Sequence, residues 1–182
     1  MRLFVGISLA PETQEALEHF LSRMSKEAPS LRWSLPAQWH VTLQFLGEVH
    51  EEQYACIVQR LRMDRMDAAK ITLVEPGFFE RAKVFHIGVK RSRTLLALQE
   101  QTLKTLLPCG FEPEARPYTP HITLAHHKSG SAAAEFRKLQ QVIASHPPIA
   151  FPSFTATEIL LYQSIPGQSG SQYEVRERFF LR

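Results

Sequence analysis

The sequence contains His40-Val41-Thr42-Leu43-Gln44-Phe45-Leu46-Gly47 and, in its second half, His121-Ile122-Thr123-Leu124-Ala125-His126. In a β-strand, residues i and i+2 point to one face of the sheet, so each stretch presents a histidine and a threonine together while the apolar residues between them face the other way. One such tripeptide arises by chance, and a lone strand histidine is usually structural. Two copies in matching strand contexts predict that two imidazoles and two hydroxyls meet in one cleft.

Helical and strand patterns alternate in both halves of the chain. Strands are predicted at 3–8, 71–74, 84–89, 158–164 and 173–181, with turns at Glu75-Pro76-Gly77 and from Pro166 to Gly170. Four amphipathic helices lie between the strands, and the first begins at Pro11. Because each half contains one His-x-Thr strand, the pattern favours a duplication that builds two facing lobes within a single domain of residues 1–182.

The composition indicates a globular protein. With 182 residues, of which 44% are hydrophobic, the chain can bury a substantial core. No run of about 18 apolar residues is present, so we expect a cytoplasmic protein that does not enter a membrane. A net charge of +3 permits an anionic partner without requiring one. Cys56 and Cys109 share no Cys-x-x-Cys spacing and are predicted to be free thiols.

The remaining motifs restrict the chemistry that two histidines could perform. The sequence has no nucleophile elbow, no Gly-x-x-x-x-Gly-Lys loop, no His-Glu-x-x-His and no carboxylate cluster beside either His-x-Thr stretch. This leaves acid–base catalysis without metal or cofactor, in which the threonine hydroxyls donate hydrogen bonds to phosphoryl oxygens. A strained ribose 2′,3′-cyclic phosphate suits such a site, since one histidine can deprotonate water while the other protonates the departing oxygen.

Further motifs along the chain carry a resemblance to a known family. These are Met1-Arg2-Leu3-Phe4, the His-x-Thr-Leu-x-Phe-Leu-Gly stretch, Gly110-Phe111, Arg116-Pro117-Tyr118-x-Pro120-His121-x-Thr123-Leu124-Ala125, Leu161-Tyr162-x-Ser164 and Tyr173. Together they resemble the 2H phosphoesterases, and among them the RNA 2′,3′-cyclic phosphodiesterases, also called 2′-5′ RNA ligases. The resemblance covers nearly the whole chain.

The resemblance implies an α+β fold in which two antiparallel sheets face a central cleft, with helices on the outside and pseudo-two-fold symmetry. It implies that His40 is the catalytic acid, His121 the catalytic base, and Thr42 and Thr123 the phosphate ligands. The implied reaction hydrolyses the 2′,3′-cyclic phosphate ends of RNA to 2′-phosphates without ATP or metal. In some members the reverse reaction joins tRNA halves through a 2′-5′ bond. We expect a monomer.

The chain departs from the family pattern at two places. The family commonly has Arg where this chain has His126, which is followed by His127; either histidine is a candidate substrate contact, or both are solvated side chains. Strict alternation places His127 rather than His126 on the face of His121. Relatives often carry Trp where this chain has His86, which either contacts a base or simply occupies the open face of its strand.

Other residues are weaker candidates. Phe45 is expected in the core, although the resemblance places it near the cleft. Arg116 either binds phosphate or supports the rigid Pro-Tyr-x-Pro segment, and Ser164 either faces the pocket or serves as a turn hydroxyl. A basic stretch either follows an RNA backbone or is ordinary solvated surface; it comprises Arg81, Lys83, Lys90, Arg91 and Arg93.

Other functions use the same residues. The cleft would also serve a 2′-5′ oligonucleotide phosphodiesterase or a cyclase-type transferase acting on small nucleotides. A protein of another class, a non-catalytic RNA-end binding protein, would hold a terminal phosphate in the same place without turning it over. His126 in place of Arg keeps this alternative open.

Overall fold

The computed structural model of the protein describes residues 1–127, 132–167 and 170–182. The strands are β1 (Arg2–Ser8), β2 (Arg32–Trp33), β3 (His40–Glu48), β4 (Ala69–Ile71), β5 (Leu73–Phe79), β6 (Val84–Val89), β7 (His121–His126), β8 (Phe154–Ala156), β9 (Glu158–Gly167) and β10 (Gly170–Phe180). The helices are α1 (Pro11–Glu27), α2 (Glu51–Met63), α3 (Arg93–Leu106) and α4 (Ala132–Ser145). The predicted α+β class is confirmed.

The strands form two four-stranded antiparallel sheets. The first sheet has the order β10-β9-β1-β3 and the second the order β2-β7-β6-β5, while β4 and β8 form a small separate pair. Each four-stranded sheet therefore contains one of the two His-x-Thr strands, β3 in the first and β7 in the second. The chain has the two-lobed arrangement that its repeated motif predicts.

Alternation along the strands directs one face of each sheet into the core. Val5 and Ile7 of β1 belong to the same buried cluster as Ile87 of β6 and Ile122 of β7. The opposite face of the first sheet carries a smaller apolar cluster of Phe4, Leu160 and Tyr162, against which Tyr173 packs. The faces turned away from the core are thus the ones that carry His40 and His121.

Two connections cross between the sheets. Strand β2 precedes β3 in the chain but pairs with β7 of the second sheet. Ser34 continues this connection, since its amide donates to the Leu124 carbonyl over 2.8 Å and its hydroxyl lies 2.9 Å from the Thr123 carbonyl. In the opposite direction, the Tyr118 hydroxyl donates to the Thr42 carbonyl over 2.9 Å. These bonds hold the two His-x-Thr strands in a defined relative position.

The structure corrects one predicted turn. Glu75-Pro76-Gly77 lies inside β5 rather than between strands. Strand β5 is at the edge of its sheet, and its register shifts between Leu73 and Pro76, so the missing amide hydrogen of the proline interrupts no continuous ladder. The predicted turn from Pro166 to Gly170 includes residues 168 and 169, which lie outside the described residues.

The structure also corrects the prediction of free thiols. Cys56 on α2 and Cys109, which follows α3, form a disulfide with their Cα atoms 5.7 Å apart. The two helices contact each other, and this contact brings together cysteines separated by 53 residues. Sequence spacing alone contains no signal for such a contact. None of the described helices is long and apolar enough to cross a membrane.

Candidate active site

The two His-x-Thr strands supply four side chains to one cavity of about 400 Å³, here called the histidine cavity. His40 and Thr42 come from β3, and His121 and Thr123 come from β7. Ser164, another sequence-predicted candidate, lies on the wall of the same cavity. The structure therefore brings together the two imidazoles and two hydroxyls that the repeated motif singles out.

Both histidines are oriented by the same local hydrogen bond. His40 Nδ1 lies 2.7 Å from the Gln38 carbonyl, and His121 Nδ1 lies 2.7 Å from the Thr119 carbonyl. A carbonyl oxygen can only accept, so Nδ1 carries the proton and donates in both rings. Each neutral imidazole is thereby left with an unprotonated Nε2, the nitrogen that can exchange a proton with a substrate.

Aromatic rings surround His40. The centroid of its ring lies 4.6 Å from that of Phe4, 5.0 Å from that of Tyr173 and 5.6 Å from that of Tyr162. Burial among these rings lowers the pKa of His40 to about 4, and the positive charge of His121 acts in the same direction. Gly6 lies beside the ring: a Cβ there would be in ordinary contact with His40 Cδ2 at 3.5 Å but would crowd the Val41 carbonyl oxygen at 3.1 Å.

The neighbours of His121 are different. Its ring centroid lies 4.8 Å from that of Phe79 in an edge-on arrangement and 5.5 Å from that of His86. Burial lowers the pKa of His121 below its ordinary value, against the opposing effect of the bond to the Thr119 carbonyl. Both imidazoles are therefore neutral at pH 7 in the absence of substrate.

A β-bulge in β3 brings Phe45 to the histidine cavity, in addition to His40 and Thr42 of the same strand. Gly6 pairs with Thr42 and Val5 pairs with Gln44, so Leu43 has no partner across the β1–β3 ladder. Leu43 and Gln44 are both buried, and the alternation shifts by one residue. Phe45 consequently faces the cavity with 58% of its surface exposed, so its expected place in the core is wrong.

Strand β7 has a bulge at the corresponding position. Phe85 pairs with Ala125 and His86 pairs with Thr123, which leaves Leu124 without a partner. The shift brings His126 to the wall of the histidine cavity, where burial and the charge of Arg32 lower its pKa. The sequence left both His126 and His127 as candidates, and the bulge decides between them, because it breaks the strict alternation that would place His127 on the face of His121. The ring of His127 instead packs 4.8 Å from that of Phe136 on α4.

His86 lies beneath the cavity surface. It is 9% exposed, and its ring stacks on that of Phe79 with centroids 4.0 Å apart. Burial and the nearby His121 lower its pKa to about 4, and its Nδ1 has no hydrogen-bond partner among the described residues. Phe79, rather than His86, reaches a cavity wall, so a base contact through His86 itself has no support here.

A second cavity of about 910 Å³ adjoins the first and is here called the apolar cavity. Thr42, Phe45 and His121 line both cavities. Its wall also includes Phe78 and Phe79, which gives it apolar surface suited to a nucleobase. Two arginines that the sequence singled out lie on its rim: the candidate residue Arg116, and Arg81 from the basic stretch. Arg116 is exposed there, where it can reach a bound anion.

Sequence reasoning missed Arg2 and Arg32, which line the histidine cavity. Arg32 belongs to a strand of two residues, too short to recognise from periodicity. Arg2 lies two residues before Phe4 on β1, so both side chains point to the same face of the sheet. This alternation was the one sequence feature that could have placed Arg2 at the cavity. Within the described ranges, no three His, Cys, Asp or Glu side chains are grouped so that they could hold a metal ion.

Comparisons with known proteins agree with this geometry. The family model of the 2′-5′ RNA ligase superfamily matches residues 14–165. The chain is 29% identical over 166 residues to the RNA 2′,3′-cyclic phosphodiesterase of Geobacillus stearothermophilus, covering 88% of this chain but about half, 51%, of that protein's length. It is 31% identical over 140 residues to the Aeropyrum pernix protein of the same name, covering 75% of this chain and 78% of that protein.

The fold is similar to a solved structure over its whole length. The crystal structure of Escherichia coli LigT complexed with 3′-AMP superposes with a TM-score of 0.80 and 27% identity, covering 99% of this chain and 97% of that one. This similarity confirms the two-lobed fold that the resemblance implies. With two equivalent His-x-Thr strands in one cavity and a family model that matches most of its length, the chain belongs to the 2′-5′ RNA ligase superfamily.

Proposed function

We propose that this protein is an RNA 2′,3′-cyclic phosphodiesterase that opens cyclic phosphate ends to 2′-phosphates, with His40 and His121 as the acid–base pair. The observation that carries the proposal is the matched arrangement of the two histidines. Each has Nδ1 fixed by a carbonyl, leaving Nε2 for the substrate, and each has a threonine two residues away on the same cavity wall. Relatives in the family are named for this activity.

The electrostatics of the pair suit a site with one acid and one base. Burial disfavours a charge on either ring, and the charge of His121 further lowers the pKa of His40, so double protonation is strongly disfavoured. An anionic phosphate between the rings favours one proton on the pair. One histidine is then protonated and the other neutral, as the reaction requires.

The reaction then proceeds with all atoms accounted for. The neutral histidine removes a proton from water as the water oxygen bonds to phosphorus. The bond between phosphorus and the ribose 3′-oxygen breaks, and the protonated histidine gives its proton to that oxygen. Thr42 and Thr123 donate hydrogen bonds to the non-bridging oxygens, where negative charge increases. The product has a 2′-phosphate and a 3′-hydroxyl.

The first test removes each histidine in turn. His40→Ala and His121→Ala should each lower kcat/KM for a 2′,3′-cyclic nucleotide by about 10²- to 10⁴-fold, the usual contribution of a general acid or base. His19→Ala, on the exposed face of α1, is the matched control. Circular dichroism should show that all three variants are folded, and near-normal activity of either cleft variant would refute the proposal. Activity should persist in EDTA.

A second test assigns the two roles. The substrate is a nucleoside 2′-(p-nitrophenyl phosphate), in which the ribose 3′-hydroxyl attacks phosphorus and p-nitrophenolate leaves, without a proton, from the position that water occupies in hydrolysis. If His40 serves the ribose oxygen and His121 the water, His121→Ala should recover most of its rate of p-nitrophenolate release, whereas His40→Ala should remain impaired because the 3′-hydroxyl must still be deprotonated. The opposite pattern would reverse the assignment.

The same assays address the other candidate functions. Cyclic-phosphate, 2′-5′-linked and 3′-5′-linked dinucleotides should be compared side by side, with the product identified as a 2′- or 3′-phosphate. Preference for the 2′-5′ linkage would favour the oligonucleotide phosphodiesterase, and binding without turnover would favour the RNA-end binding protein. Joining of tRNA halves, a monomeric state and a cytoplasmic location stay predictions, to be checked by ligation assay, sedimentation and fractionation.

A further inference from the structure

One end of the histidine cavity is formed by Arg2 of β1 and Arg32 of β2. Neither arginine belongs to a His-x-Thr strand. The register of β2 against β7 pairs Arg32 with His126, so His126 lies at the same end of the cavity. Two permanent positive charges therefore stand beside the histidines that handle protons.

Arg2 and Arg32 line the same cavity as Tyr173 of β10. Burial raises the pKa of the Tyr173 phenol, and the charges of Arg2 and Arg32 act in the opposite direction. The Arg32 guanidinium lies close to the start of β10, since a Cβ at Gly170 would lie 3.8 Å from its Cζ and Nε atoms. The arginines thus occupy one site, bounded by β10.

No carboxylate among the described residues that line this cavity neutralises the arginines. Glu48 lies opposite Arg2 in the β1–β3 register, but its carboxylate is 3.5 Å from the N-terminal ammonium and its side chain is 75% exposed. The other lining groups at this end include the hydroxyls of Ser164 and Ser171, which can donate to an anion. The chemistry of this end suits a phosphate group.

The strand registers place both arginines away from the histidine pair. Arg2 pairs with Glu48, at the opposite end of the β1–β3 ladder from the Ser8–His40 pair, and Arg32 pairs with His126, at the opposite end of β7 from His121. Tyr173, which lines the same cavity, packs edge-on against His40 with ring centroids 5.0 Å apart. A phosphate held by both arginines would therefore be next to the reacting phosphate and distinct from it.

We infer that Arg2 and Arg32 form a second anion subsite, which binds a phosphate group of the substrate other than the one that reacts. The inference rests on the proposed function and adds a substrate class to it. The apolar cavity shares Thr42 and His121 with the histidine cavity but includes neither arginine in its wall, so it offers a place for the nucleoside away from the arginines. A 2′,3′-cyclic phosphate end has no nucleotide beyond its phosphorus, so the second phosphate belongs to the other strand of a 2′-5′-linked diester, on the arginine side.

Equilibrium binding tests the subsite without requiring turnover. The probe is a 2′-5′-linked dinucleotide whose first ribose lacks the 3′-hydroxyl, so no neighbouring hydroxyl can attack phosphorus. It is prepared with and without a phosphate on the 3′-hydroxyl of the second nucleoside, and Kd is measured by calorimetry. The added phosphate should tighten binding to the wild-type protein about tenfold.

The variants locate the effect. Arg2→Gln and Arg32→Gln should each reduce the advantage of the added phosphate to less than about threefold. Arg137→Gln removes an equal charge from an exposed position on α4 and should retain the full advantage. If the two probes bind the wild-type protein equally, the subsite does not exist.

A third probe checks the side on which the phosphate binds. It carries the added phosphate on the 5′-oxygen of the first nucleoside, and an Arg32-dependent gain with this probe alone would overturn the proposed placement. The outcomes separate the two proposals. An inactive protein with phosphate-dependent binding would refute the phosphodiesterase and retain the subsite, whereas an active enzyme without that dependence would refute the subsite.

Discussion

The two His-x-Thr strands are alike in backbone and unlike in surroundings. Both fix a histidine through the carbonyl two residues before it, and both contain a bulge after the threonine. His40 is packed among aromatic rings, whereas His121 is beside Phe79 and the buried His86. The bulges then present Phe45 on one strand and His126 on the other. The shared features position the reacting groups, and the differing ones distinguish the two sides of the cleft.

Removal of the threonine hydroxyls is the strongest test of the shared part. Thr42→Val and Thr123→Val keep the shape of the side chain but lose the hydrogen bond to phosphoryl oxygen. Each should lower kcat about 10²- to 10³-fold, the usual loss for one oxyanion donor. Steady-state hydrolysis of a 2′,3′-cyclic nucleotide measures the effect. Thr155→Val, which changes an exposed threonine of β8, is the control. Losses that differ by more than tenfold would break the equivalence of the two strands.

The buried His86 distinguishes the second sheet through its response to acid. Burial lowers its pKa from the ordinary value of 6.5 to about 4 in the folded protein, so the unfolded chain binds the proton more tightly. The free energy of unfolding should therefore be highest above pH 6.5 and fall as the pH drops towards 4. His86 should contribute on the order of 3 kcal/mol to that fall.

His86→Phe should remove this part of the decline, as measured by urea unfolding at pH 7 and pH 4.5. His19→Phe replaces an exposed histidine and serves as the control. An unchanged decline in His86→Phe would mean that the buried ring does not carry the acid sensitivity of this sheet.

The smallest expected effect concerns the two bulge residues. Phe45→Ala should raise KM about tenfold for a dinucleotide that ends in a 2′,3′-cyclic phosphate. The reason is that a base stacked on an aromatic ring contributes on the order of 1–3 kcal/mol to binding. His126→Ala should change KM less than about threefold at pH 7, since burial and Arg32 lower the pKa of His126 and keep its ring uncharged. Phe180→Ala, in which the replaced ring is 81% exposed, is the control. A larger effect at His126 would reverse the order of the two residues.

Period-two alternation was sufficient to predict that His40, Thr42, His121 and Thr123 share one cleft, because these residues precede the bulges. Beyond the threonines it failed. A bulge inserts one residue without a signature in the amino-acid pattern, so Phe45 was expected in the core, and the pattern could not choose between His126 and His127. The disulfide between Cys56 and Cys109 depends on a contact between helices, which local periodicity does not record.

Strand β2 has a consequence for how the enzyme meets its substrate. It joins the second sheet although it leads directly into β3 of the first, and the Tyr118 hydroxyl crosses back to Thr42. A hinge that opened the cleft would have to break strand pairing and these crossing bonds together. Among the described residues the two sheets are therefore tied together, so association of the proposed RNA substrate should depend on diffusion and charge rather than on separation of the sheets.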